Sequence, residues 1–134
     1  MLFFNALFYL CFVGLILDHL ITGFISLFFP EQARRWFEHF YSIRLTDAMM
    51  LLFKPWGLLG LFAAASGIVM LFGLERYKYF LLLFAALVLG RLILRFVLAR
   101  EVHERFKLSL RRNMRQVSIL LLCMLTFIGK YLSL

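Results

Sequence analysis

The feature that most constrains this chain is the length of its uncharged apolar runs. The first, about 2–29, is interrupted only by Asp18 and His19 and closed by Pro30. About 20 residues at 1.5 Å each match a hydrocarbon layer of roughly 30 Å, so this run is long enough to cross a bilayer as one helix. Further runs at about 48–74, 79–99 and 117–133 give four spans in a single transmembrane domain. The 134 residues are 64% apolar, with 17 phenylalanines, whereas roughly half the residues of a soluble domain are apolar. A folded domain of about 150 residues still exposes roughly 30% of its unfolded surface. Water cannot be the solvent for so apolar a remainder, and the fold class expected is an all-α integral membrane four-helix bundle.

The connections set its outline. The stretch Pro30 to Tyr41 places Trp36, Phe37, Phe40 and Tyr41 at helical spacing behind a proline and an acidic residue. This predicts a short amphipathic helix at the membrane interface. The second helix is expected to begin as early as Asp47, with a kink at Pro55. The segment Glu75-Arg76-Tyr77-Lys78 leaves room only for a tight turn, so spans two and three form an antiparallel hairpin. The third helix is expected to continue past the membrane surface, helped by Glu101 and Arg105 at i,i+4. A turn is predicted near Asn113, and the fourth span, from Val117, is short. The tetrapeptide LFAA at Leu61 and again at Leu83 is too brief to establish a repeat.

Charge sets the orientation. Arg34, Arg35, Arg44 and Lys54 follow span one; Arg95, Arg100, Arg105, Lys107, Arg111, Arg112 and Arg115 follow span three. Only Arg76, Lys78 and Lys130 fall on the other side, so the positive-inside bias predicts cytoplasmic basic loops and both termini outside. With no Lys or Arg before Arg34, the first run is read as a retained helix in a bacterial-type inner (cytoplasmic) membrane. The net charge of +8 is thereby absorbed without nucleic acid, because the basic residues are not interleaved with exposed stacking aromatics.

Few residues could carry chemistry. Gly57, Gly60, Ala64 and Gly67 line one face of span two, and Ala86 with Gly90 does so on span three, as helices that pack closely in lipid require. Asp18 and His19 in span one and Arg91 in span three are ionisable groups at membrane depth, where each costs about 2.5–3.5 kcal/mol on insertion scales. They serve either as a proton or ion relay or as a structural ion pair fixing helix register, with Asp18 and Arg91 expected to approach each other. His39 and His103 lie in the loops, so bis-histidine haem is not expected, and Cys11 and Cys123 have no metal-ligand spacing. No catalytic residue, cofactor or metal is assigned. Arg105, Lys107, Arg111, Arg112 and Arg115 suit lipid headgroups or an acidic partner, although topology alone predicts such a cluster.

From Gly57 to Phe96, a small-residue-rich span, a tight basic turn and a span carrying Gly90-Arg91 resemble the DoxX-like group of small bacterial four-helix membrane proteins. The resemblance implies a compact bundle acting beside membrane partners and carries no catalytic residue across. The Asp18-His19 pair and the long basic third loop depart from the group's pattern. The reading that follows is a non-enzymatic accessory or structural subunit of a larger inner-membrane complex, in contact with lipid and with other integral membrane subunits. The alternative is a small homo-oligomeric transporter or proton-coupled channel using Asp18, His19 and Arg91. A membrane enzyme is the least supported, since no nucleophile and base stand at suggestive spacing.

Overall fold

A proline and an asparagine show how the local sequence sets the helix ends. In the computed structural model, which describes residues 2–41, 44–97, 104 and 110–134, helix α1 spans Leu2–Phe28 and α2 spans Pro30–Tyr41. Pro30 disfavours helical backbone in the residue before it, and as the first residue of α2 its missing N–H costs nothing. Phe29 alone forms the joint: its N–H donates to Ile25 O at 2.9 Å, and its carbonyl accepts from Gln32 and Ala33 at 3.0 Å each. Glu31 in the first turn of α2 and His39 in the last complement the helix dipole. The apolar and polar residues of α2 segregate more sharply than in the longer helices.

Helix α3, Asp47–Met50, is capped by Thr46, whose hydroxyl accepts from Met49 N at 3.3 Å. A two-residue turn at Leu51 and Leu52 separates it from α4, Phe53–Leu71. Pro55 explains the break, because it has no N–H for the carbonyl of Leu51 and its ring crowds that carbonyl. Helix α4 ends at Leu71 rather than near Leu74, and Gly73 opens a turn in which Tyr77 N donates to Gly73 O at 3.0 Å. Helix α5 follows at Lys78–Val97. The expected continuation toward Glu101 and Arg105 lies outside the described residues.

Helix α6 spans Leu110–Ser133, which corrects the turn expected near Asn113 and the short fourth span. Asparagine is a weak helix former because its side chain competes for backbone hydrogen bonds. Here that side chain is occupied: Asn113 is buried, and Arg95 Nη1 donates to its Oδ1 at 3.1 Å.

The described residues form helices joined by turns and short loops, without strands, and four segments are long and apolar enough to cross a membrane: Leu2–Phe28, Asp47–Leu71, Lys78–Val97 and Asn113–Ser133. The chain divides into two compact units. One comprises residues 1–13 and 70–134, the other 14–69. In the first, α5 buries Leu81, Phe84, Ala85, Val88 and Leu92, and α6 buries Asn113, Val117, Leu120, Cys123 and Phe127. Both are single stripes at helical spacing. Tyr79 near Tyr131 (6.1 Å) and Arg95 on Asn113 mark the two ends of this antiparallel hairpin. The start of α1 lies on it through Phe8 and Phe12, which meet Phe127 at 6.0 and 5.7 Å. In the second unit, α1 and α4 run antiparallel in backbone contact. A Cβ built on Gly23 would stand 2.8 Å from Gly57 O, and one on Gly57 would stand 2.7 Å from Gly23 O.

Candidate functional site

The most fully built polar cluster in the second unit centres on Arg34 of α2. Its Nε donates to Glu38 Oε1 at 3.3 Å, its Nη1 to Asp47 Oδ1 at 3.1 Å and its Nη2 to Leu45 O at 2.7 Å. Glu38 Oε1 also accepts from Leu45 N at 2.8 Å. One guanidinium thus fastens α2 to the loop before α3 and to the first residue of α3. The five donors of arginine suit such a junction. The Leu45 N–H, followed by the hydrogen bond and charge of Arg34, holds the Glu38 carboxyl below its ordinary value of 4.5. The hydrogen bond that Arg34 donates to Glu38, reinforced by Asp47, raises the guanidinium above its ordinary value. Phe37 packs on Phe53 at 5.1 Å, so the apolar side of α2 is tied to α4 as well. The sequence offered half of this: Glu38 follows Arg34 at i+4, but nothing local announces Asp47 or Leu45 as partners.

Asp18 and His19 sit on α1 of the same unit. His19 Nδ1 lies 2.9 Å from Leu15 O and 3.9 Å from Asp18 Oδ2, so the imidazole is anchored to its own helix and faces its neighbour loosely. Thr22 donates to Asp18 O. The Asp18 side chain is half exposed, at 51%. That leaves the carboxylate outward among apolar neighbours such as Leu17 and Ile21. Arg91, on α5, is exposed and belongs to the other unit, so its pairing with Asp18 rests on the sequence argument alone.

Of the small residues, Gly57, Ala64 and Gly67 are buried and Gly60 is half-buried. Their partner was not legible: Gly23 on α1 completes the contact, with Gly60 also 3.2 Å, by its added Cβ, from His19 O. The face expected at Ala86 and Gly90 differs. Ala86 is exposed, and a Cβ on Gly90 would meet nothing within 4 Å, because the buried stripe of α5 runs through Leu81, Ala85, Val88 and Leu92 instead.

At the end of the first unit where α1 begins and α6 finishes, Lys130 joins the two helices. Its Nζ donates to Asn5 Oδ1 at 2.9 Å and lies 5.8 Å over the Phe8 ring. An open cleft of about 540 Å³ here is lined by Tyr9, the α4–α5 turn with Glu75 and Arg76, and Lys130. Arg76 over Tyr77 and Lys78 over Tyr79 add cation–π pairs at 5.7 and 5.8 Å. Arg111 and Arg115 of α6 are exposed, as a headgroup contact needs. Arg105, Lys107 and the side chain of Arg112 lie outside the described residues. Among those described, no three His, Cys, Asp or Glu side chains stand close enough together to hold a metal ion.

In comparisons with known proteins, no family model, no curated protein and no solved structure matches the chain. The resemblance of Gly57–Phe96 to the DoxX-like group therefore stands on those residues alone.

Proposed function

We propose that this chain is a multi-pass protein of a bacterial-type inner membrane, its basic loops cytoplasmic and both termini outside, and that it serves as a non-enzymatic accessory or structural subunit whose helices pack against those of partner subunits. One observation carries the reading. In an 18-residue apolar stretch of each of the four long segments only 17–29% is buried, and side chains as large as Phe3, Phe62 and Phe72 are 73% exposed or more. At roughly 25 cal/mol per Å² of apolar surface, water would be a prohibitive solvent for such faces, whereas lipid or another helix is not. The unfilled Ala86 and Gly90 face of α5 is shaped for a second helix, since small residues four apart let backbones approach. The tyrosines and cations at the α4–α5 turn suit a headgroup layer.

The test is purification from the native membrane in mild detergent. Release of the chain with other integral membrane proteins at fixed stoichiometry supports the subunit reading, as does loss of that association in Ala86→Leu or Gly90→Leu variants that remain folded. Recovery as a pure oligomer with a water-accessible Asp18 would replace it by transport. For topology, a reporter fused after Leu134 should be active only in a periplasmic form; cytoplasmic activity there would overturn the orientation.

A further inference from the structure

Helices α1 and α6 run antiparallel with one register. Gly129 faces the tip of the Phe4 ring, Lys130 bonds Asn5, and Phe127 stacks edge-on against Phe8 and Phe12. Carried one turn further along α6 and α1, that register sets Cys123 opposite Cys11. The two thiols are neighbours across the α1–α6 seam, although 112 positions separate them in sequence. Both are free; Cys123 is buried at 6% exposure, and Cys11 is partly open at the helix surface.

We infer that Cys11 and Cys123 form a redox modification site, in which a membrane-permeant peroxide oxidises the outer thiol and the inner thiol resolves it to a disulfide joining the first and last helices. A thiol's reactivity follows its access and the ease of forming its thiolate. Cys11 supplies the access, and the helix register places Cys123 beside it as the resolving thiol. In the first step one peroxide oxygen transfers to the Cys11 sulfur: the O–O bond breaks, a sulfenic acid forms and water leaves. In the second, the Cys123 sulfur attacks the oxidised Cys11 sulfur. The S–S bond forms, the S–O bond breaks, and the hydroxyl departs with the Cys123 proton as a second water. Peroxide gains the two electrons that the thiols lose.

The disulfide closes a loop that contains most of the chain, so it constrains the unfolded state strongly. The experiment treats the purified full chain in lipid nanodiscs with hydrogen peroxide, then blocks free thiols and maps unreduced peptides by mass spectrometry. Expected is a Cys11–Cys123 cross-linked peptide pair in most molecules. It should be reversed by dithiothreitol, absent from Cys11→Ser and Cys123→Ser variants, and accompanied by a higher melting temperature of the untouched sequence. Two thiols that remain alkylatable would overturn the proposal, as would a disulfide between two copies through Cys11 or sulfinic acid accumulating at Cys11 without a cross-link. The reading on the unsubstituted chain keeps the test valid even where a serine variant folds poorly.

Discussion

The two units hold their helices together in opposite ways. In the unit formed by α5, α6 and the start of α1, the seam is made of large side chains: Phe8, Phe12, Phe84 and Phe127 meet at centroid distances of 5.5–6.0 Å, mostly edge to face. In the unit holding the rest of α1 with α4, the seam is made of backbone, with Gly23 against Gly57 and Gly60. Aromatic packing gains dispersion and quadrupole contacts from mass. Glycine packing gains them from proximity, bringing two peptide backbones together where no side chain intervenes. The first tolerates adjustment at its periphery; the second tolerates no added atom.

The largest effect is expected on the aromatic side. Phe127→Ala removes a fully buried ring that touches two others, and should cost toward the low end of roughly 3–5 kcal/mol, because in lipid the lost contacts count while the transfer from water does not. Reversible unfolding in mixed micelles measures it, and a loss below that of an exposed control such as Phe62→Ala would break the contrast. Next comes Gly57→Ala, which forces a methyl within 2.7 Å of Gly23 O and 2.9 Å of Leu27 N. Backbone cannot yield as a side chain does, so a cost of about 1–3 kcal/mol is expected. Gly129→Ala also meets an atom at 2.7 Å, but that atom is the tip of the Phe4 ring, and its smaller cost in the same assay would locate the difference in what must move.

Gly14→Ala sharpens the point further. Nothing lies within 4 Å of the added Cβ, so the variant should gain up to about 1 kcal/mol from lower helix-forming entropy. A loss there would mean that glycine matters for reasons other than close approach. The smallest effect concerns pH at the Arg34 junction. Because Glu38 is held below its ordinary value in the folded state, the stability that it contributes is fully present above that value of 4.5 and is lost as pH falls through the lower, folded value. In a Trp56→Phe background, Trp36 emission should report α2 loosening in that acidic window while helicity persists. The transition should vanish in Glu38→Gln.

These contrasts also mark what could be read in advance. The apolar runs located all four long helices, and Gly57 and Gly60 of the small-residue stripe lie where α1 approaches α4. Gly23 was missed because Gly14 and Gly23, nine residues apart in α1, form no small-residue period. Asn113 misled because a turn signal is a statement about local competition for hydrogen bonds, and Arg95 settles that competition from another helix. Ala86 and Gly90 shared the spacing of α4's glycines, yet Ala86 is exposed and an added Cβ on Gly90 would meet nothing within 4 Å.

By itself the sequence determined what is set by runs and punctuation. Helix length follows from apolar length, the α1–α2 joint from Pro30, the break before α4 from Pro55, and the orientation expected in a membrane from the distribution of Arg and Lys. Only the tertiary structure decided which residues of distant segments meet: Gly23 with Gly57, Arg34 with Asp47, Asn5 with Lys130, Cys11 with Cys123. The reason is physical. Periodicity fixes which face of a helix is apolar or small. The axial register between two helices is fixed by the shapes and polar groups that meet once they are side by side, and no single segment contains that information.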